Sequence, residues 1–328
     1  MLLDVAPSQV QEGDVCVDGM RMHYRHCGAG RPLLLIHGLV GASANWLQNM
    51  GPLAEHASVF AVDQVNMGES QRAANVAPDL ESTADRLAKL MTKLGIDKAD
   101  IAGHSHGGAV ALMLAARHPD RVRSLMLFAP ANPFSGFSDG IVRFYCSRPG
   151  RLIARLVPYL PSFCHRIALG RMYGDPSRIG AGCLEGYVGG LRVAGTVPHI
   201  LAIVRGWFAD MHKLKTSLTS VADVPKLLIW GDRDRAVSVA SGHHLNRELG
   251  QSSLVVVEGA GHVVFEELPE LSNRLMVEWL NRDEDTYARP FHSAVPASVR
   301  PDYEASRTAA LGGRTPAGAT LRRLSPEI

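Results

Sequence analysis

The sequence predicts an α/β fold with a mostly parallel sheet and helices on both faces. Three observations carry that expectation. Leu33 to Ile36 and Val59 to Asp63 are short apolar runs without polar alternation, the pattern of strands buried on both faces. Leu80, Ala84, Leu87, Met91 and Leu94 recur in steps of four and three, which makes an amphipathic helix. Strand and helix signals then alternate at a spacing that calls for parallel crossovers.

The elements follow in order. A hairpin spans Val15 to His26, where Met20, Met22 and Tyr24 alternate with Arg21, His23 and Arg25, and Asp18-Gly19 supplies a tight turn. The strand Leu33 to Ile36 ends at His37-Gly38. A helix fits Trp46 to Ala54 despite Gly51-Pro52, before the strand from Val59. Gly95 closes the helix that starts at Leu80. Asp100 to Gly103 reads as strand, His106 to Arg117 as helix and Val122 to Phe128 as strand. Residues 132–215 hold several apolar helical stretches with no strand signal between them, which reads as an inserted helical lobe. Strand and helix resume with Lys226 to Trp230, Leu254 to Val257 and the helix Leu268 to Leu280. The core is therefore expected over 15–131 and 216–282, interrupted by the insertion at 132–215. From Asp283 to Ile328 there are five prolines and only seven Leu, Ile, Val or Phe among 46 residues. That apolar content is too small to offset the entropy of ordering, so 283–328 is expected to be a disordered tail.

Composition excludes several classes. Lys and Arg number 34 against 32 Asp and Glu, and the resulting +2 gives no field suited to nucleic acid. The five cysteines are odd in number and contain no C-x-x-C, so they read as packed thiols of a reducing, cytoplasmic compartment. Met1 to Gly13 lacks the basic and long apolar segments of a signal peptide, and no run approaches the ~18 apolar residues of a spanning helix.

Gly103-His104-Ser105-His106-Gly107 has the form G-x-S-x-G between a strand and a helix, where a strained turn lifts a serine above the sheet. Glycines at 103, 107 and 108 meet the steric demand of that turn. A serine hydroxyl needs a base, and the base needs an orienting carboxylate. Gly231-Asp232-Arg233-Asp234 and Gly259-Ala260-Gly261-His262 each follow a later strand, at the ends that deliver catalytic groups in open α/β sheets. The order Ser105, Asp234, His262 suits an elbow-type triad, with Asp232 as the competing carboxylate. An oxyanion formed on attack needs fixed donors, and the backbone N–H groups of Leu39 and His106 are the two expected. His37, His104 and His106 have no clustered carboxylates or cysteines beside them, so no metal site is expected.

His37-Gly38-Leu39, the stretch from Asp63 through Gly68 to Ser70, the elbow Gly103 to Gly108, Gly231 to Asp234 and Gly259 to His262 together resemble the α/β-hydrolase superfamily, over roughly residues 15 to 282. The resemblance implies a mostly parallel eight-stranded sheet with a helical cap inserted after the sixth strand. It takes in esterases, lipases, C–C bond hydrolases, cofactor-free haloperoxidases, epoxide hydrolases and dehalogenases. The last two carry aspartate at the nucleophile position, where this chain has Ser105. Three positions depart from the family pattern. Asn66 stands at a usual glycine, and asparagine tolerates a left-handed backbone. His106 replaces the common methionine, and His104 stands where C–C hydrolases of this pattern often have asparagine.

Over 132–215 there are eleven Lys and Arg against four Asp and Glu, together with many aromatics that suit the roof of an apolar pocket. Phe134 and Trp207 from this segment, with His37 and His104 near the serine, are the pocket candidates. A basic lid over an apolar site points to an anionic or amphipathic substrate, or to peripheral contact with an anionic membrane surface. The sequence thus reads as a serine hydrolase that cleaves an ester or related acyl bond of a small hydrophobic, anionic substrate through an acyl-enzyme, with no cofactor. A C–C bond hydrolase using the same residues, and a small-ligand receptor with residual hydrolysis, remain as alternatives.

Overall fold

The computed structural model describes residues 10–135, 139–287, 289, 291 and 299–301. Its strands are β1 (Gln11–Val17), β2 (Met20–Cys27), β3 (Pro32–Ile36), β4 (Ser58–Val62), β5 (Ala99–His104), β6 (Val122–Phe128), β7 (Lys226–Gly231), β8 (Ser252–Val257) and β9 (Val299–Pro301). They form one sheet in the order β1-β2-β4-β3-β5-β6-β7-β8-β9. The pairs from β4 through β3 to β8 are parallel, and the β1–β2–β4 end is antiparallel. The eight expected strands are joined by β9, a short antiparallel addition to the β8 edge.

Side chains alternate across this sheet, and both faces are buried. Leu34, Ile36, Ile101, Leu125, Leu127 and Leu228 pack on one side, whereas Leu33, Leu35, Ala102, Met126, Leu227 and Ile229 pack on the other. This two-sided burial is why the sequence shows unbroken apolar runs. On the first face lie α2 (Leu80–Lys93), whose Asp79 cap accepts from Ser82 N at 2.9 Å, and α3 (His106–Arg117). On the other face lie α1 (Leu47–Ala54) and α11 (Pro269–Leu280), the latter preceded by the short α10 (Val264–Glu267). The hairpin turn has Asp18 at φ 50° and Gly19 at φ 77°, as its dipeptide requires.

Between β6 and β7 the described residues hold α-helices, short 3₁₀ turns and loops, and no strand. The α-helices are α4 (Asp139–Cys146), α5 (Arg148–Leu156), α6 (Ser162–Gly170), α7 (Cys183–Arg192) and α8 (Thr196–Ser217). A further helix, α9 (Val239–Glu248), lies between β7 and β8.

Part of the stretch expected to be a disordered tail from 283 onward is packed instead. After α12 (Glu284–Tyr287), Tyr287 and Phe291 are buried against Trp279, with ring centroids 4.9 and 5.7 Å away, and the Arg282 guanidinium lies over all three rings. Composition averaged over 46 residues hid two aromatic anchors among the first nine. Residues 288, 290, 292–298 and 302–328, which also fall in that expectation, lie outside the described residues.

Candidate active site

Ser105 is the hinge between β5 and α3. Its backbone sits at φ 51°, ψ −119°, a left-handed conformation rare for a residue with a side chain. The surrounding hydrogen bonds hold it there: Ser105 N donates to Phe128 O at 3.0 Å, and Ser105 O accepts from Gly108 N and Ala131 N, both at 2.9 Å. The neighbouring glycines are required by space. A Cβ on Gly103 would lie 2.5 Å from Gly107 O, and one on Gly107 would lie 2.3 Å from His37 O. The N–H of His106, first residue of α3, has no carbonyl a turn earlier to bond.

His262 and Asp234 meet across the ends of β8 and β7. His262 Nδ1 donates to Asp234 Oδ2 at 2.8 Å, and both side chains are buried. The other carboxylate oxygen, Oδ1, accepts from Ala236 N at 2.7 Å and Val237 N at 2.9 Å, which fixes the plane of the acid. Asp232, the rival carboxylate, is exposed and accepts from Gly259 N at 2.7 Å. It holds the turn that leads to His262.

Ser105 and His262 line one cavity of about 400 Å³, and Leu39 and His106 line it too. The remainder of its wall is mostly aliphatic, with Trp207, Val204, Val142 and Leu191 contributed by the helical insertion. Two of the four pocket candidates therefore face the cavity, Trp207 and His104, and two do not. His37 is fully buried beneath the loop, where Nε2 accepts from Gln64 N at 3.1 Å and Nδ1–H donates to Gly38 O at 2.7 Å. Phe134 stacks on His244 at 3.9 Å instead. The expected basic surroundings are absent as well. None of the described residues lining the cavity is lysine or arginine, and Arg148, Arg155, Arg166 and Arg171 of the insertion point to solvent.

Two histidines flank the serine, both buried and both held neutral. His104 Nε2–H donates to His262 O at 3.1 Å, and burial, helped by the neighbouring His262, depresses its basicity strongly. Burial brings His106 down to about 3, and neither of its ring nitrogens has a hydrogen-bond partner among the described residues. Asn66, the other departure, adopts φ 68°; its side chain accepts from Ala73 N at 2.7 Å and bonds His199 at 3.1 Å.

A set of positioning residues went unread in the sequence. His262 N donates to Met172 O of the insertion at 2.6 Å. Glu267, wholly buried, accepts from Gly261 N at 2.7 Å, from Gly174 N at 3.0 Å and from Asp175 N at 2.9 Å, and pairs with Arg178. Next to it Glu266 accepts from Tyr187 Oη at 2.7 Å and from Cys183 Sγ at 3.3 Å. Burial raises the Glu266 carboxyl above its ordinary range. The insertion approaches so closely that a Cβ on Gly174 would lie 2.2 Å from Gly259 O. The available signal was an acidic pair directly after the apolar triplet Val263-Val264-Phe265.

Comparison with known proteins bears on this arrangement. A model of the alpha/beta hydrolase fold matches residues 31–143, and one described as TAP-like protein matches residues 206–282. The dihydrolipoyllysine-residue acetyltransferase component of the acetoin cleaving system from Pseudomonas putida is 31% identical over 254 residues, which are 77% of this chain and 64% of that relative's own length. A 2-hydroxy-6-oxo-2,4-heptadienoate hydrolase, also from Pseudomonas putida, is 28% identical over 76% of this chain and 89% of its own. Among solved structures, a membrane phospholipase A described as a bacterial virulence factor superposes with a TM-score of 0.70 at 28% identity, covering 84% of this chain and 86% of that one.

Proposed function

Because the chain belongs to the α/β-hydrolase superfamily, we propose that it is a serine acyl hydrolase for esters, or related acyl compounds, with an uncharged apolar acyl group. The carrying observation is the Asp234–His262 pair at 2.8 Å, whose imidazole lies on the wall of the same apolar cavity that the strained Ser105 turn enters. In this reading Ser105 Oγ attacks the carbonyl while His262 Nε2 takes its proton, and Asp234 stabilises the imidazolium that forms. The N–H groups of Leu39 and His106 receive the oxyanion. Collapse expels the alcohol, protonated by His262, and the same imidazole then activates the water that releases the acid.

The wall decides what the acyl group is. With no lysine or arginine among the described residues lining it and with His106 neutral, the acyl end of the cavity offers no such cation to pair with a carboxylate once water is excluded. The helical insertion acts as the cap that closes it. A neighbouring cavity of about 330 Å³, which shares Leu39, Gly41, Asn45 and Tyr187 with the first, is lined by Arg25, Asp63, Glu69 and Glu185 and suits a polar alcohol half. The C–C bond reading is kept as the second, since a heptadienoate hydrolase is among the relatives. Its named substrate is a carboxylate, and the absence of a cation in the wall favours the ester.

The test is labelling with an alkyl fluorophosphonate followed by peptide mapping, which should place the adduct on Ser105, together with a chain-length series of p-nitrophenyl esters. Rising kcat/KM with acyl length over many turnovers is expected. An adduct elsewhere, faster cleavage of a dienoate C–C bond, or a single slow turnover with a large melting shift would each overturn the assignment.

A further inference from the structure

Helices α5 and α6 and the turn between them are built in an unusual sense. α5 packs inward through small residues, Gly150 and Ala154, and the Gly150 position is so tight that a Cβ there would lie 1.9 Å from Phe144 O. α6 packs inward through His165 and Leu169. The large apolar side chains are left outside: Leu152, Tyr159, Phe163 and Ile167 are each more than 60% exposed, and Leu156 and Leu160 lie among them. Soluble monomers rarely present such a contiguous apolar surface without a use for it. Residues 140–171, which contain this surface, hold six arginines and no aspartate or glutamate. Among the described residues, Arg148, Arg155, Arg166 and Arg171 form no ion pair.

We propose that this face, formed by α5, the Val157–Tyr159 turn and α6, is a docking surface for an anionic lipid bilayer. Exposed Leu and Phe interleaved with unpaired Arg is the arrangement that sinks an apolar edge to the level of the acyl boundary while the guanidinium groups meet lipid phosphates. Each of the two helices has nine residues, about 13 Å of rise against a hydrocarbon core of about 30 Å, so the contact lies in the interface and does not span it. A second copy of the same face is a poor occupant, because it would set six arginines against six with no acid between them.

The surface is continuous with the cavity. Val157, His165, Ala168 and Leu169 line the cavity from the inner side of the same segments. A docked molecule would therefore hold the wall of its acyl site against the membrane, close to the source of acyl chains. Binding itself does not depend on the hydrolytic reading.

The test is sedimentation of the full chain with vesicles of phosphatidylcholine alone and of phosphatidylcholine mixed with phosphatidylglycerol. Strong binding to the mixed vesicles only, weakened at high salt, is expected. The paired change Leu156→Ser and Phe163→Ser should lower the partition coefficient by at least about 10-fold, and Arg148→Gln with Arg155→Gln by about 10-fold. Neither pair lines the cavity, so hydrolysis of a soluble short ester and the melting temperature should be unchanged or, for the serine pair, the latter raised. Repeating the binding with Ser105→Ala separates this proposal from the catalytic one, since binding should persist when hydrolysis is gone. Equal binding to both vesicle types, or binding unaffected by either pair, overturns the proposal. So does a concentration-dependent dimer in lipid-free solution that the serine pair dissolves, because the face would then be covered by a second copy.

Discussion

Replacing His106 with methionine should stabilise the protein, and by an amount that grows as the pH falls. Both ring nitrogens of His106 are buried without a partner among the described residues. Leaving such a group dry costs about 1–3 kcal/mol, and methionine, similar in reach, brings no strong polar group to satisfy. A gain of about 1–2 kcal/mol is therefore expected near pH 8. A second contribution comes from protonation. Burial, with His37 and His199 nearby, lowers this imidazole from 6.5 to about 3, so the unfolded chain binds a proton that the folded one refuses. Stability is intact above 6.5 and is lost as the pH falls toward 3. At pH 5 the loss is on the order of 2 kcal/mol, from about 1.5 pH units at 1.36 kcal/mol each. Methionine takes up no proton, so its advantage should widen to about 3–4 kcal/mol at pH 5. Urea denaturation at the two pH values, with unchanged slopes, reads this directly. An advantage that does not widen would refute the reasoning, for it would mean that the protonated ring has a partner. The backbone N–H of residue 106 survives the change, so short-ester hydrolysis should be retained.

Further outcomes are expected. Asp234→Asn should lower kcat by about 10⁴-fold because the His262 tautomer is no longer fixed, whereas Asp232→Asn should change it only a few-fold; steady-state kinetics on one ester compares them. Truncation after Arg282 removes Tyr287 and Phe291 from Trp279 and should cost at least about 3 kcal/mol, while truncation after residue 301 should cost little, as thermal melting will show. Glu267→Gln leaves one of its amide or guanidinium donors facing an NH₂ group and should lower kcat about 10-fold and also raise KM in steady-state kinetics, because the loop of His262 loosens together with the Met172 to Gly174 segment of the cavity wall.

The fold was legible where burial leaves a one-dimensional trace. Strands covered on both faces must be apolar throughout, and the elbow must carry glycine where a Cβ would strike a carbonyl, so β3, β5 and the turn at Ser105 could be read in advance. The order of Ser105, Asp234 and His262 was equally plain because each ends a strand or follows one. Orientation within the insertion was not. Its charge balance is a sum without direction, and α5 packs by its glycine and alanine side, the reverse of the usual amphipathic arrangement, so the basic residues expected over the site, and aromatics such as Tyr159 and Phe163, face outward while Trp207 faces the cavity. Phe134 was misplaced for a related reason: its partner, His244, lies far along the chain and leaves no periodic signal. The buried Glu267 clamp joins residues nearly a hundred positions apart, which spacing alone does not reveal.

The contact of Met172 to Gly174 with Gly259 to His262 also constrains how such chains can be recombined. Backbone meets backbone there: a Cβ on Gly261 would lie 2.4 Å from both Gly174 N and Met172 O. Neither segment can change its path without the other. A graft that exchanges 132–215 between two relatives carries away one half of this joint and leaves its mate, with Glu267, in the recipient. Crossovers that keep 172–178 and 259–267 from the same parent should yield active hybrids, whereas those that part them should fold around a displaced histidine. The seam along which this architecture can be cut and rejoined therefore does not run where the helical segment begins and ends in sequence.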